Sequence, residues 1–399
     1  MNVVRRMQAF NAGRDPERLQ IKYRLMRASA FAFLRGTDHL FYERLPRGGL
    51  FRTAPRVWAC GDLHLENFGS YKGDNRLVYF DINDFDEAIL APASWDLVRL
   101  LASLRVGADS LSISPREASA LCKDFLQAYV SSLAEGKAYW VERDTAHGLV
   151  RELLDGLRHR PRARLLAART TVRRGRRVLR VDGKKALPAT AAQRAAIGEC
   201  MAAFAARQSD PAFYEVIDVA RRIAGTGSLG VDRFAVLVQG KGSPDGHYLL
   251  DLKQTLPSSL APYLTVPQPA WESQAHRVVA LQRRVQAVSM AFLQPVLFGG
   301  GSYVLRGLQP SEDRMTLDRS QRSMTELAQA LQVMGRVVAW GQLRSAGRDG
   351  SATADELVAF AQRRKWQAEL LELSQDCANQ VRKDWATFSS AFDDRAFDG

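Results

Sequence analysis

Acidic and amide side chains are concentrated between residues 60 and 87, in a stretch that also carries apolar segments typical of buried strands. Asp62 and Asn67 lie five positions apart on one predicted loop. A strand-like segment at 77–82 follows, and it introduces a second polar group: Asp81, Asn83, Asp84, Asp86 and Glu87. A structural core does not tolerate so many unpaired carboxylates. This stretch therefore predicts a site for phosphate groups and a cation.

The spacing of these residues suits phosphoryl transfer, which needs a carboxylate near the acceptor hydroxyl and oxygen ligands for Mg²⁺. The protein-kinase catalytic loop places its Asp base five residues before an Asn metal ligand, and an Asp-Phe-Gly metal ligand follows. Asp62 and Asn67 match the first pair, and Asp-Phe-Asp at 84–86 takes the third place. The alternative is a solvated or calcium-binding loop. Calcium loops, however, alternate Asp or Asn with Gly and end on Glu, which this stretch does not.

The motifs resemble those of known kinase-like families. GDLHLEN at 61–67 is similar to the His-Gly-Asp-x-His-x-x-Asn loop of the aminoglycoside-phosphotransferase-like kinases, with Cys60 where they usually have His. More closely, most of the chain resembles the bacterial domain-of-unknown-function family 2252, which is similar to protein kinases in its motifs. That family's pattern is visible in five segments: Arg35-Gly36, Gly61 to Gly69, Asn83 to Glu87, Gly225 to Gly230 and Asp251-Leu252-Lys253. The resemblance implies a kinase-like site but no particular substrate.

The same resemblance bears on Asp96, because the kinase-like families have an Asp-Leu pair twelve positions after their metal-binding Asp. The step from Asp84 to Asp96 matches and favours Asp84 over Asp81, which strand alternation places on the opposite face. The resemblance implies that Asp96, near the start of an apolar helix predicted at 95–107, anchors the catalytic loop from beneath. A helix cap is the alternative role for Asp96.

His64, inside the Asp62 loop, is compatible with a metal ligand, a base or a structural hydrogen-bonding group. We include it among the candidate catalytic residues but favour the structural role, because kinase-type loops use the Asp as base. A turn at 72–75 predicts a hairpin whose two ends bring Asp62 and Asp84 to one site. Asp86 is a further candidate metal ligand.

A second motif occupies residues 216–253. Its glycines match GxGxxG, but the residues that follow them are strand-like, whereas a dinucleotide site needs a helix there. Strand, glycine loop, strand, turn and a strand with a lysine is the order of the kinase nucleotide-binding lobe. A bulged hairpin turn is the alternative for the glycines. The predicted ATP-binding residues are Gly225, Thr226, Gly227, Ser228, Gly230 and Lys253, with Glu272 or Gln282 of a helix at 271–293 contacting the lysine.

The order of the two motifs is the reverse of that in protein kinases, where the glycine loop and lysine precede the catalytic loop. We therefore predict an α+β, kinase-like two-lobed fold that is circularly permuted. The predicted units are a helical lobe with the catalytic loop at 1–205, a β-rich nucleotide-binding lobe at 206–310, and helices that complete the helical lobe at 311–399.

Composition narrows the class of protein. A chain of 399 residues with 46% hydrophobic content supports two or three lobes. No apolar segment reaches the roughly 18 residues of a membrane span, and no secretory signal is recognisable. Four cysteines without CxxC spacing indicate reduced thiols and a cytoplasmic protein. The formal net charge of +13 favours anionic partners, among them nucleotide, phosphorylated metabolite, nucleic acid and membrane surface.

Basic residues are most concentrated at 151–185, a region without aromatic side chains: Arg158, Arg160, Arg162, Arg164, Arg169, Arg173, Arg174, Arg176, Arg177, Arg180, Lys184 and Lys185. This basic region is compatible with a phosphate-rich partner, a rim around an anionic substrate, or a solvated surface. The lack of aromatic residues argues against base stacking and makes nucleic acid a less favoured partner.

These patterns together predict an ATP- and Mg²⁺-dependent phosphotransferase. Its hydroxyl acceptor, a small molecule or a protein, is not specified by the sequence, and neither is the oligomeric state. The same motifs are also compatible with adenylyl transfer or with a non-catalytic nucleotide-binding module.

Overall fold

The fold is α+β, with one part made of helices and another built on an antiparallel sheet. The computed structural model of the protein describes residues 2–158, 161–310 and 313–397. Arg160 and the side chain of Arg158, both in the basic region, lie outside the described residues. The helices of the described part are α1 (Val3–Asn11), α2 (Pro16–Ala28), α3 (Ala30–Gly36), α4 (Asp38–Arg44), α5 (Leu50–Thr53), α6 (Ala93–Gly107), α7 (Pro115–Glu135), α8 (Gly148–Arg158), α9 (Arg162–Arg169), α10 (Ala191–Ala205), α11 (Gln274–Val285), α12 (Met324–Ser345), α13 (Ala354–Gln362) and α14 (Lys365–Asp393).

The strands of the described residues fall into one large sheet and three small ones. They are β1 (Arg56–Ala59), β2 (Phe68–Lys72), β3 (Val78–Ile82), β4 (Ile89–Pro92), β5 (Val141–Glu142), β6 (Thr170–Arg173), β7 (Arg176–Leu179), β8 (Ala186–Pro188), β9 (Val216–Arg222), β10 (Arg233–Val238), β11 (Tyr248–Gln254), β12 (Gln294–Phe298) and β13 (Gly301–Gly307). Among these residues, the structure has no helix that is both long and apolar enough to cross a membrane.

Helix α6 lies at the centre of the helical part, and all of its residues are buried. Leucines recur along it at helical spacing, as predicted for 95–107. It packs against α14 and α7, and α7 in turn packs against α12. Residues from both ends of the chain therefore share one hydrophobic core. Three charged side chains, Asp96, Arg99 and Arg105, are buried on this helix. Asp96 and Arg99 contact the segment that begins at Cys60.

The predicted hairpin is confirmed. Strands β2 and β3 pair antiparallel with Phe68 opposite Ile82, so the segment before β2 and the segment after β3 leave the hairpin at the same end. Strands β1 and β4, which flank the segment at 60–88 in the sequence, also pair antiparallel, so the two ends of this segment lie side by side. This arrangement brings the loop with Asp62 beside the segment with Asp84.

The large sheet has six antiparallel strands in the order β12-β13-β11-β10-β9-β8. Helix α10 covers it, and Ile197 and Met201 of α10 pack with Val236 and Leu250 of the sheet. Strand β8 and helix α10 therefore belong with the sheet, although they lie before the boundary predicted at 206. Sequence pattern missed this because β8 is only three residues long and helix α10 separates it from its partner β9.

The first and last described segments of the chain lie in contact. Helix α1 packs against α14. The Gln8 side-chain amide donates to the carbonyl of Ala396 at 3.0 Å, and Gln20 donates to the carbonyl of Phe397 at 2.8 Å. Phe397 is buried beside Tyr23. The last described residues therefore dock against α1 and α2.

Candidate active site

A cleft of about 540 Å³ lies between the large sheet and the helical part, a size common for small-molecule sites. Its walls bring together two groups of predicted residues that are far apart in the sequence. The catalytic-loop segment and the glycine loop face each other across it. The predicted residues that line the cleft are Asp62, His64, Asn67, Asp84, Asp86, Gly225, Thr226, Gly227, Ser228 and Lys253.

Asp62 is held by an arginine of helix α6. Its Oδ1 accepts from Arg99 Nε at 3.0 Å and from Arg99 Nη2 at 2.5 Å. Arg99 also pairs with Asp38 at 3.1 Å. Burial raises the pKa of Asp62 to about 6, against the lowering effect of Arg99. With Oδ1 engaged, Oδ2 is the oxygen nearer the glycine loop, and a carboxylate with this pKa can accept a proton near neutral pH.

Asn67 lies on the same loop, and its side-chain nitrogen donates to the Asp62 carbonyl at 2.8 Å. That bond fixes the amide so that its Oδ1 remains for a ligand in the cleft.

His64 serves the loop itself. Its Nδ1 accepts from the Glu66 backbone N–H at 3.2 Å, and its Nε2 is 3.9 Å from Asp62 Oδ2. Burial lowers the pKa of His64 well below its usual value, so the ring is neutral. This placement fits the structural role that the sequence favours.

Asp96 accepts hydrogen bonds from the backbone N–H groups of Cys60 at 2.8 Å and Gly61 at 3.0 Å. The resemblance implied such an anchor beneath the catalytic loop. Burial raises the pKa of Asp96 to about 6, opposed by these two backbone hydrogen bonds. The entry to the loop is thus fixed by one buried side chain.

Replacing Asp96 with Ala is expected to lower the free energy of unfolding by about 2–4 kcal/mol, because two buried N–H donors lose a charged acceptor. Urea denaturation followed by circular dichroism measures this change. Asp109→Ala is the control, since Asp109 is an exposed acidic residue on the short turn after α6. Equal midpoints for the two variants would contradict the anchoring role.

Asp84 lies at the cleft, whereas Asp81 does not line it. Burial acts to raise the pKa of Asp84, but Lys253 and Arg306 outweigh it and hold the pKa below its usual value. Asp81 accepts from the Ile82 N–H at 2.8 Å and pairs with Arg344 at 3.4 Å. The structure therefore places Asp84, and not Asp81, at the cleft.

Lys253 pairs with the carboxylate of Asp86 and not with a residue of helix α11. The predicted contact with Glu272 or Gln282 is wrong in this structure. Glu272 precedes the helix, is exposed and pairs with His276 at 3.3 Å. Gln282 is buried and donates to Gln286 at 3.1 Å.

Helix α11 contributes Arg277 to the site instead. Its guanidinium donates to the Asp86 carbonyl at 2.9 Å and to the Ala88 carbonyl.

Burial lowers the pKa of Lys253 to about 8, while Asp84 acts to raise it.

The oxygens in the cleft suit a hard cation. Asn67 and Asp84 offer one amide and one carboxylate, and the Oδ1 of Asn83, beside them, is buried without a hydrogen-bond partner. Within the described ranges, no three His, Cys, Asp or Glu side chains are grouped as a metal site. A cation here would therefore also need phosphate or water oxygens, which is how Mg²⁺ is usually held.

The glycine loop between β9 and β10 approaches the end of α3 and the Asp62 loop at Gly227. A Cβ at Gly227 would lie 2.9 Å from the Arg35 carbonyl oxygen and 4.0 Å from Asp62 Oδ2, so only glycine fits this approach. The Gly227 carbonyl accepts from Arg14 at 2.9 Å and from Lys22 at 3.1 Å. Helix α2 and the segment before it thus hold the loop over Asp62.

Sequence reasoning missed several of these residues: Arg14, Lys22, Arg99, Arg277 and a group of arginines around Asp251. Arg99 could have been noticed, because it interrupts the apolar segment of α6 three positions after Asp96, on the same helical face. The others gave no local signal.

Comparison with known proteins yields one match. The model of a family described as an uncharacterized protein conserved in bacteria (DUF2252) matches residues 14–391. No curated protein and no solved structure matches the chain.

Proposed function

The chain belongs to DUF2252, a family of uncharacterized bacterial proteins, and we propose that it is an ATP- and Mg²⁺-dependent phosphotransferase with a permuted, kinase-like site. The acceptor is a hydroxyl group of a small molecule or a protein.

One observation carries this proposal. The Asp62–Asn67 loop with Asp84, and the glycine loop with Lys253, line the same cleft although each was assigned from its own sequence pattern. If the kinase-like spacing in one segment had arisen by chance, there would be no reason for the other segment to line the same cleft. The joint arrangement supports a kinase-like site over a calcium loop or a simple hairpin turn.

The arrangement of the large sheet supports the kinase-like assignment further. Strand β9, the glycine loop, β10, and β11 with its lysine are neighbours, and helix α11 follows β11. Helices α1 and α14, the first and last of the described residues, are in contact. This contact supports circular permutation, because permutation requires chain ends that lie close together.

In this proposal Asp62 accepts the proton of the acceptor hydroxyl, and Arg99 keeps its carboxylate oriented. Asn67 and Asp84 hold the metal ion, and Lys253 and the backbone of the glycine loop bind the phosphates. Bound Mg²⁺ supplies charge neutralisation of the phosphate groups. Asp86 keeps Lys253 in the cleft until nucleotide phosphates compete for it.

The test is to follow the label from ATP labelled at the α- or the γ-phosphate, with water and pooled hydroxyl-containing metabolites as acceptors. Transfer of the γ-label with release of ADP is expected in the presence of Mg²⁺. Transfer of the α-label with release of pyrophosphate would show adenylyl transfer and overturn the proposal. ATP that binds but is never consumed would indicate a non-catalytic module.

A further inference from the structure

A cluster of three arginines surrounds one carboxylate on the cleft side of the large sheet. Asp251 of β11 is fully buried and accepts from Arg233 Nε at 2.8 Å and Arg233 Nη2 at 2.6 Å. Arg306 Nε lies 3.3 Å from Asp251 Oδ2, and Arg222 Nη1 lies 2.8 Å from the same oxygen. The three arginines come from three different strands, β10, β13 and β9, and all three line the cleft.

The cluster holds more positive charge than its carboxylate neutralises. Burial, helped by the neighbouring Arg233 and Arg306, outweighs the effect of Asp251 and lowers the pKa of Arg222 to about 10. Arg222 Nη1 is buried and makes an ion pair with Asp251 without hydrogen-bond geometry. Uncompensated buried charge is costly, so a bound anion would be stabilised here.

Asp84 lies beside this cluster, because Arg306 Nη1 donates to the carbonyl of the preceding residue, Asn83, at 3.4 Å, and Asp84 lines the same cleft as the three arginines. In the proposed reaction Asp84 binds a cation, which takes up its negative charge. The positive charges of the arginines are then less well neutralised by Asp84 when substrate is bound. This favours an anionic group of a substrate beside them.

The rest of the nearby wall is also basic. Arg314, Lys184 and Lys185 line the same cleft, which has ten cationic and six acidic lining side chains in all. Among the described residues of the basic region, Arg169, Lys184 and Lys185 line the cleft. A wall of guanidinium groups suits phosphate oxygens, which match the planar donor fork of arginine.

We propose that Arg222, Arg233 and Arg306 form a phosphate-binding subsite beside the metal and phosphate positions at Asp84 and Lys253. It takes a phosphate or pyrophosphate group carried by one of the two substrates of the proposed phosphotransferase, on which this inference rests. Asp251 orients the three guanidinium groups for that anion.

The test is calorimetric titration of inorganic pyrophosphate without divalent cation. We expect the wild type to bind it and Arg222→Gln to bind at least tenfold more weakly. Arg221→Gln is the matched control, because Arg221 directly precedes Arg222 on β9, pairs with Asp15 and Glu17 at 2.7 Å, and does not line the cleft. No binding by the wild type, or equal binding by Arg222→Gln and wild type, would overturn the subsite.

Two further arms complete the design. Arg306→Lys retains the charge but loses the planar fork, so it should fold as the wild type does in thermal denaturation and still bind pyrophosphate several-fold more weakly. Unchanged affinity in this variant would argue against recognition by guanidinium groups. Asp84→Ala should retain metal-free pyrophosphate binding even where no phosphoryl transfer is found, so failure of the subsite and failure of the proposed function are distinguishable.

Competition with Mg²⁺–ATP identifies the source of the phosphate. Retained pyrophosphate binding at saturating Mg²⁺–ATP would assign the subsite to a phosphorylated acceptor. Displacement of pyrophosphate from the wild type by Mg²⁺–ATP, together with weaker Mg²⁺–ATP binding by Arg222→Gln, would assign the subsite to the phosphate groups of the nucleotide itself.

Discussion

Replacing Asp62 with Asn is expected to reduce phosphoryl transfer by about 10²–10⁴-fold, the range that a positioned general base supplies. Asn has nearly the same shape and can still accept from Arg99, but it cannot take the proton of an acceptor hydroxyl. Mg²⁺–ATP affinity should change by about twofold or less, because the ligands assigned to metal and phosphates remain. Steady-state kinetics and calorimetry on the same preparation separate the two effects.

The pH dependence provides a second readout of the same substitution. The base works as a carboxylate, and burial raises the pKa of Asp62 to about 6. In the wild type, kcat/KM should therefore fall about tenfold per pH unit below pH 6 and level off above it. The Asn variant should lack this acid limb. A variant that turns over as fast as the wild type, with the same profile, would rule out Asp62 as the base.

A folding defect would imitate loss of the base, so the Asn variant needs its own stability measurement. Arg99 remains paired with Asp38 at 3.1 Å, and its guanidinium still donates to the Leu34 carbonyl at 2.9 Å. The buried arginine therefore keeps partners. We expect a urea midpoint close to that of the wild type.

The parts of this site that local sequence predicts are those that depend on neighbours in the chain. The spacing of Asp62 and Asn67 on one loop, and the hairpin that brings Asp84 back to it, follow from a turn and from strand alternation. The glycine loop was equally readable, because two strands flank it in sequence. Each of these predictions needed only about 30 residues of context.

The contacts that sequence could not supply join segments far apart in the chain. Lys253 pairs with Asp86, which is far from it in the sequence. The helix that follows β11 in the sequence therefore gave the wrong candidate partners for this lysine. Arg222, Arg233 and Arg306 meet only because their strands are neighbours in the sheet order. That these arginines are buried around one carboxylate depends on how four strands align in the sheet, and the sequence of a single strand does not show that alignment.

Asp84→Ala is expected to remove the metal dependence of ATP binding. Asp84 is the ionised carboxylate of the proposed metal site, and its pKa is held below the usual value by Lys253 and Arg306 despite burial. Without it, Asn67 offers only a neutral oxygen, and Mg²⁺ binds such sites weakly. ATP affinity measured with Mg²⁺ should fall about 10–100-fold, the loss typical of a damaged metal site. It should then approach the affinity measured in EDTA.

Asp62→Asn is the matched control, because it also removes one carboxylate from the same cleft but leaves the proposed ligands in place. The two variants should differ, because Asp62→Asn keeps Mg²⁺-dependent ATP binding while its phosphoryl transfer is reduced about 10²–10⁴-fold, whereas Asp84→Ala loses both. If Asp84→Ala retained the full Mg²⁺ effect, the metal would have to be held by Asp86 or Asn83. Lys253 would then lose its ion-pair partner on binding, and the roles assigned around Asp84 would need to be reversed.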